Sequence, residues 1–154
     1  MQQSFEQHQA TQIVQRQEWL AVLAQEKEAL SQYETALTAQ AYEVLRAPEV
    51  GMAMVKGKTA GEGQVFNLGE VTVTRCVVRL DGGEVGYGYV VGRSKQQALL
   101  LALADAHLQS PKQAEWTETM LQPLRQQHQQ KALQQQQQVA KTKVDFFTLV
   151  RGED

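Results

Sequence analysis

A β-hairpin that leads directly into a helix limits most strongly how this chain can fold. Residues 71–80 alternate between a face of small and apolar side chains and a face that carries Arg75 and Arg79. The turn sequence Asp81-Gly82-Gly83 tolerates positive φ, so residues 84–91 are predicted to return antiparallel to the first strand. This is the strongest hairpin signal in the chain, and it predicts an antiparallel sheet.

Two glycines, Gly86 and Gly88, share one face of the returning strand. Glycines lower strand stability, so this pair marks a place where a helix, another backbone or a ligand comes close, and helix packing is the favoured interpretation. On the first strand, Cys76 lies on the small and apolar face. We therefore expect its thiol to behave as a small hydrophobe, with a reactive role as the less favoured alternative.

The helix after the hairpin is predicted to begin at Lys95. Ser94 followed by Gln97 is a capping-box pattern. The amide groups of a helix N-terminus attract anions, and Arg93 and Lys95 flank this one. Arg93, Ser94 and Lys95, together with Arg75, are therefore candidate anion-binding residues, and Arg79 completes that set. The alternative is that these are solvated charges beside an ordinary capped helix.

Residues 95–109 are apolar almost all round, which requires burial on more than one side. The two polar residues within this helix, Asp105 and His107, are two positions apart and do not face each other. A hydrogen-bonded or exposed histidine is a better interpretation of His107 than a catalytic one.

Composition excludes several classes of protein. A length of 154 residues favours one domain with helical extensions, and a net charge of −2 argues against nucleic acid as the main partner. One cysteine rules out an internal disulfide, and His8, His107, His128 and Cys76 lack metal-ligand spacing, so no metal site is expected. The absence of a long apolar run or a signal-peptide pattern predicts a cytoplasmic chain.

The predicted fold class is α+β, with an antiparallel sheet of about four strands, flanking helices and extended helical arms. We divide the chain into a glutamine-rich, frayed or disordered extension (1–16), an α+β core (17–109), a helical interaction arm (110–143) and an apolar docking tail (144–154).

Two further strands are predicted before the hairpin, at residues 42–46 and 51–56, with Pro48 ending or bending the first. Helical spacing of apolar residues indicates two short helices ahead of them. Trp19 lies on the first apolar stripe, where a core position is favoured over an interface anchor.

The triplet Gly57-Lys58-Thr59 resembles the end of a phosphate-binding loop, but two features that such a loop requires are absent. The first glycine of the motif would fall at Met52, and a strand follows instead of a helix. We therefore reject a P-loop and expect a flexible connection.

The C-terminal segment is unusually apolar for a chain end. Termini are mobile unless they are tied down, and burying Phe146 and Phe147 would contribute a few kcal/mol. Asp145, Phe146, Phe147 and Arg151 are therefore candidate structural or interface residues, as are Trp19 and Glu70.

The sequence resembles the PhnG family, small subunits of the bacterial carbon-phosphorus lyase system, over nearly all of the chain from Gln17 onward. The residues that carry the resemblance are Gln17-Glu18-Trp19 with Val22 and Leu23, Tyr42-Glu43-Val44-Leu45-Arg46-Ala47-Pro48-Glu49, Gly61-Glu62-Gly63 with Phe66, Gly69-Glu70, Val73-Thr74-Arg75, Val78-Arg79-Leu80, Gly86-Tyr87, Gly92-Arg93, Lys95, and Val144-Asp145-Phe146-Phe147-Thr148-Leu149-Val150-Arg151-Gly152. The last of these is the most specific.

The resemblance implies phosphonate breakdown. Members of the family act with PhnH, PhnI and PhnL to convert MgATP and an alkylphosphonate to a ribose 1-phosphonate 5-triphosphate, with adenine displaced. They also join a core complex with PhnJ, whose iron-sulfur and S-adenosylmethionine chemistry cleaves the carbon-phosphorus bond. This chain alone is expected to bind no cofactor.

Two hypotheses about its role remain open. In the first, the chain is a non-catalytic subunit whose sheet and arms brace a catalytic partner. In the second, Arg75, Arg79, Arg93 and Lys95 hold triphosphate or phosphonate oxygens directly. A structural ion pair between Glu70 and Arg75 is an alternative interpretation of these two residues. A free-standing regulatory or nucleic-acid-binding module is a third interpretation if the resemblance fails.

Overall fold

The computed structural model describes residues 1–58 and 65–151, with side chains described at 1–57, 66 and 68–140. The helical elements are α1 (Gln2–Gln25), a 3₁₀ turn (Ala29–Tyr33), α2 (Glu34–Thr38), α3 (Lys95–Leu108), α4 (Gln113–Trp116), a π-helical turn (Thr117–Leu121) and α5 (Gln122–Arg151). The strands are β1 (Tyr42–Lys58), β2 (Val65–Leu80) and β3 (Val85–Val91).

These strands form one antiparallel sheet in the order β1-β2-β3, so the α+β class is confirmed. The sheet has three strands instead of about four, because the two early strands that the sequence predicts are one continuous β1. The pairing shifts register between Arg46, opposite Val77, and Glu49, opposite Arg75. Extra residues on β1 bulge at Pro48, which an edge strand tolerates because its missing N–H need not join the ladder.

Helix α3 lies directly on the glycine face of β3. A Cβ atom added to Gly86 would lie 1.9 Å from the carbonyl oxygen of Ala102, and one added to Gly88 would lie 1.9 Å from that of Ala98. The close approach that the two glycines predict is therefore the approach of a helix. The start and burial of this helix are confirmed as well, because Ser94 Oγ accepts the Gln97 N–H at 3.2 Å and most α3 side chains are buried.

Helix α1 is continuous from Gln2, whereas the sequence leaves residues 1–16 frayed or disordered. Residues 2–15 of this helix are exposed, so no burial of apolar side chains stabilises them. Packing begins with Trp19, Val22 and Leu23, which are buried in the core beneath α3. The domain boundary predicted after residue 16 therefore falls within a continuous helix.

Within the predicted interaction arm (110–143), Met120, Leu121 and Leu124 are buried in the core, and we call residues 129–140 of α5 the helical arm. Residues 129–140 are exposed on every side, and the whole of α5 contains 30 residues, which corresponds to about 45 Å. Its base is held to the end of α1, where the buried Glu26 carboxylate accepts a hydrogen bond from Lys131 Nζ at 2.8 Å. The arm therefore leaves the core from a fixed point.

No helix in the described part of the chain is long and apolar enough to cross a membrane. The predicted loop at Thr59 to Gly63 lies outside the described residues, while Gly57 and Lys58 belong to β1 and not to a helix N-terminus. Among the described residues no cluster of three metal-ligating side chains occurs.

Candidate interaction surfaces

A two-stranded ribbon extends beyond the body of the sheet. Strand β3 pairs with β2 only from Val73 onward, so residues 52–58 of β1 and 65–72 of β2 pair with each other alone. We call this part the β-ribbon. On this ribbon Met52 is 60% exposed, Met54 is 55% exposed and Leu68 is 62% exposed. Apolar side chains exposed together in this way are typical of surfaces that bind other proteins.

Register places the apolar side chains of β1 on one face of the ribbon. Val50 pairs with Thr74, Met52 with Thr72 and Met54 with Glu70. Thr74 is buried on the side that α3 covers, and the Thr72 hydroxyl donates to Met52 Sδ at 3.6 Å. The ribbon therefore continues the helix-covered face of the sheet past the end of its helical cover.

The open sheet face is the side of the sheet opposite α3. Alternation places Arg75 and Arg79 of β2 on it, together with Tyr87, Tyr89 and Val91 of β3. Arg79 forms an ion pair with Glu43, and the Arg16 guanidinium lies 5.3 Å from the centre of the Tyr87 ring. This face combines half-exposed aromatic rings with cations, a composition enriched at protein interfaces.

The predicted anion-binding residues do not converge on one site. Arg75 and Arg79 project from the open sheet face, whereas Ser94 and Lys95 begin the helix on the other side. The Ser94 hydroxyl already accepts the Gln97 N–H, and Arg79 already pairs with Glu43. Arg93 and Lys95 are exposed.

The proposed Glu70–Arg75 ion pair is wrong. The two residues lie on opposite faces of β2, since their partners on β1 are Met54 and Glu49 in an unbroken register. Trp19 is buried in the core, and Glu70 lies on the β-ribbon. The side chains of Asp145, Phe146, Phe147 and Arg151 lie outside the described residues, although their backbone continues α5.

A buried carboxylate whose partners sequence analysis did not identify joins three elements of the fold. Asp105 on α3 is fully buried, and its Oδ2 accepts from Arg16 Nη2 at 2.7 Å and from the Tyr87 N–H at 2.9 Å. Its Oδ1 accepts from Arg16 Nε at 3.2 Å and Trp19 Nε1 at 2.9 Å. The sequence signal for this contact is a single acidic residue inside an otherwise apolar helix. Because buried charges are normally paired, such a residue indicates a basic partner elsewhere in the chain.

The side chains of Cys76 and His107 contribute to the packing of the core. Burial raises the pKa of the Cys76 thiol, which keeps it protonated and unreactive. The buried His107 hydrogen-bonds through Nε2 to the Leu37 carbonyl oxygen at 2.9 Å, and its ring lies 4.5 Å from that of Trp116. Because a carbonyl oxygen only accepts, Nε2 carries the proton in the neutral ring.

Stability is expected to fall as pH drops below about 6.5, the ordinary pKa of histidine. Burial lowers the pKa of His107, and Lys112 lowers it further, against the opposing effect of the Leu37 hydrogen bond. Below that pH the unfolded chain binds a proton at His107 that the folded chain does not bind. The free energy of unfolding therefore falls by up to about 1.4 kcal/mol per pH unit. Urea titrations at pH 7 and pH 5 should show that His107→Gln loses less stability between the two pH values than the wild type does. Equal losses of stability would contradict this account.

The fold and its surfaces define a small α+β protein whose buried polar groups serve packing and whose apolar surface remains partly uncovered. The family described as phosphonate metabolism protein PhnG matches residues 14–152. A relative from Rhizobium meliloti (strain 1021) is 44% identical over 110 residues, which cover 71% of this chain and 70% of the relative. That relative is named alpha-D-ribose 1-methylphosphonate 5-triphosphate synthase subunit PhnG. The chain belongs to the PhnG family.

Proposed function

We propose that this chain is a subunit of an alpha-D-ribose 1-methylphosphonate 5-triphosphate synthase and that it braces the assembly without carrying the chemistry. Family membership and the name of the 44% identical relative support the first part. In this proposal the chain acts in the cytoplasm with PhnH, PhnI and PhnL. Together they convert MgATP and an alkylphosphonate to the ribose 1-phosphonate 5-triphosphate and displace adenine.

The bracing role is carried by one observation, the apolar surface that the folded chain leaves uncovered. The β-ribbon and the open sheet face expose large apolar side chains, and α5 extends an arm beyond the core. Surfaces of this kind are stabilised when a partner covers them. An assembly subunit has a use for all three features.

The polar groups of the interior support the same proposal. Asp105, His107 and Glu26 are buried and hold elements of the fold together, and the Cys76 thiol is protonated. A single cysteine cannot supply the thiolates of an iron-sulfur cluster. We therefore assign the iron-sulfur and S-adenosylmethionine chemistry of phosphonate cleavage to a PhnJ partner, and MgATP to a site built mainly by other subunits.

Direct ligand binding by this chain is the competing function, and substitution of the exposed cations tests it. Arg93→Ala and Lys95→Ala are expected to leave complex size unchanged and the KM for MgATP within about twofold, because neither side chain supports the core. The measurement is adenine release by the reconstituted complex at varied MgATP. Thr38→Ala, a substitution at an exposed position of α2, serves as the control. A tenfold rise in KM with intact assembly would overturn the non-catalytic role.

A further inference from the structure

The two edges of the sheet differ, because side chains bind part of the main chain at the edge formed by β3. Three main-chain groups of β3 are bound by side chains of α3, of its C-cap residue and of the turn that follows α1. Asp105 Oδ2 accepts the Tyr87 N–H at 2.9 Å, and Gln109 Nε2 donates to the Val85 carbonyl oxygen at 2.8 Å. Lys27 Nζ donates to the Val91 carbonyl oxygen. Proteins protect edge strands in this way against pairing with another chain.

The edge at β1 lacks this protection along the β-ribbon. Strand β1 is 17 residues long and pairs on one side only, with β2. Among the described side chains none forms a hydrogen bond with the main chain of residues 49–57. A row of unpaired N–H and C=O groups of this kind pairs most readily with another extended strand.

Side chains along this edge also suit an added strand. Val50, Met52 and Met54 present an apolar row on one face, and they alternate with the small residues Gly51 and Ala53 on the other. Successive side chains of an added strand would likewise alternate, so its apolar members would lie beside the methionines. Methionine is flexible and polarizable, and it adapts to partners of different shape.

We propose that the outer edge of β1 at residues 49–57 accepts an extended strand from a different subunit of the synthase. The inference rests on the proposed function, since it requires a multi-subunit assembly. The occupant is a segment of about six to eight residues with apolar side chains at alternate positions, which matches the length of an ordinary strand. Main-chain hydrogen bonds supply the affinity and the apolar row sets the register.

A second copy of this chain fits the edge less well. Antiparallel pairing of two copies about a twofold axis at Met52 would place Pro48 opposite Lys56. Pro48 has no N–H to donate, and the bulge beside it breaks the regular ladder that an added strand requires. A strand from another subunit can stop short of Pro48 and pair with the unbroken part of the edge.

Hydrogen exchange tests the proposal on the chain alone and in the complex assembled with its co-produced partner subunits. In an edge strand the outward N–H groups alternate with those bonded to β2. We expect amides at alternate positions between residues 49 and 57 to exchange at least tenfold more slowly in the complex. The Tyr87 amide of β3 should change little, because Asp105 already accepts its hydrogen bond.

Each alternative outcome has a distinct meaning. If the complex forms and the outward amides of residues 49–57 exchange as fast as in the isolated chain, strand addition is overturned and the subunit role stands. Concentration-dependent protection in the isolated chain would overturn the proposed occupant in favour of a second copy. Failure of the chain to enter any complex would overturn the subunit role, and the inference with it.

A matched pair of substitutions provides the second measurement. Met52→Glu with Met54→Gln places a charge and an amide along the apolar row. Both sites are exposed, and the neutral amide avoids a like charge opposite Glu70, so the isolated chain should unfold as the wild type does. We expect binding to the partner subunits to weaken at least tenfold. Ile13→Glu, at an equally exposed site on α1, should leave binding unchanged. Equal binding by the wild type and the double variant would contradict the proposal.

Discussion

Replacing Gly88 with alanine is expected to destabilise the protein by about 3 kcal/mol or more, the upper range for overpacking a rigid site. The added Cβ would lie 1.9 Å from the Ala98 carbonyl oxygen and 3.0 Å from the Ala102 nitrogen. Both contacts are with the backbone of α3, so no side chain can rotate away to relieve them. The helix must move off the sheet, which exposes the core between them.

Urea unfolding measures this effect, and Gly51→Ala is the matched control. Gly51 lies on the same sheet, but a Cβ there would meet only Arg75 Nη2, at an ordinary 3.7 Å. We expect the control to stay within about 0.5 kcal/mol of the wild type, as surface substitutions usually do. If Gly88→Ala unfolds at the same urea concentration as Gly51→Ala, the packing of α3 on β3 described above is incorrect.

The second large effect is expected for Asp105→Asn, which should cost about 3 kcal/mol, the range for breaking a buried ion pair. The carboxylate accepts hydrogen bonds from both ends of the Arg16 guanidinium, from Trp19 and from the Tyr87 main chain. An amide keeps the size of the side chain but loses the charge, and its NH₂ group faces donors instead of acceptors. One of those donors is then left buried without a partner.

Glu49→Gln is the control for this variant, because it removes an exposed ion pair with Arg46 at 3.5 Å. Such pairs contribute little, so a change below about 0.5 kcal/mol is expected. Hydrogen exchange in Asp105→Asn should also show faster exchange at the Tyr87 amide, which no other described group binds. A variant with wild-type stability and an unchanged Tyr87 amide would show that Asp105 does not organise this edge.

Features that depend on neighbours in sequence were predictable. Ser94 caps α3 because Gln97 follows within one turn, and Asp81-Gly82-Gly83 turns the chain because its residues tolerate the required backbone angles. Gly86 and Gly88 predicted close approach because glycine weakens a strand unless something packs against it. Family membership was predictable because its motifs span most of the chain.

Features that depend on distant residues were not predictable. Asp105 meets Arg16 across 89 positions and Trp19 across 86, and sequence periodicity carries no information about such pairs. The continuity of β1 past Pro48 depends on an edge position and a bulge, which only the pairing with β2 reveals. The separation of Arg75 from Ser94 depends on which face of the sheet α3 covers.

Adenine release is the most direct test of the subunit role. The reaction contains MgATP, methylphosphonate, PhnH, PhnI and PhnL, with or without this chain, and the size of the complex is measured in parallel. The bracing account predicts that omitting the chain abolishes assembly and adenine release together. Undiminished adenine release by a complex of unchanged size without it would contradict that account.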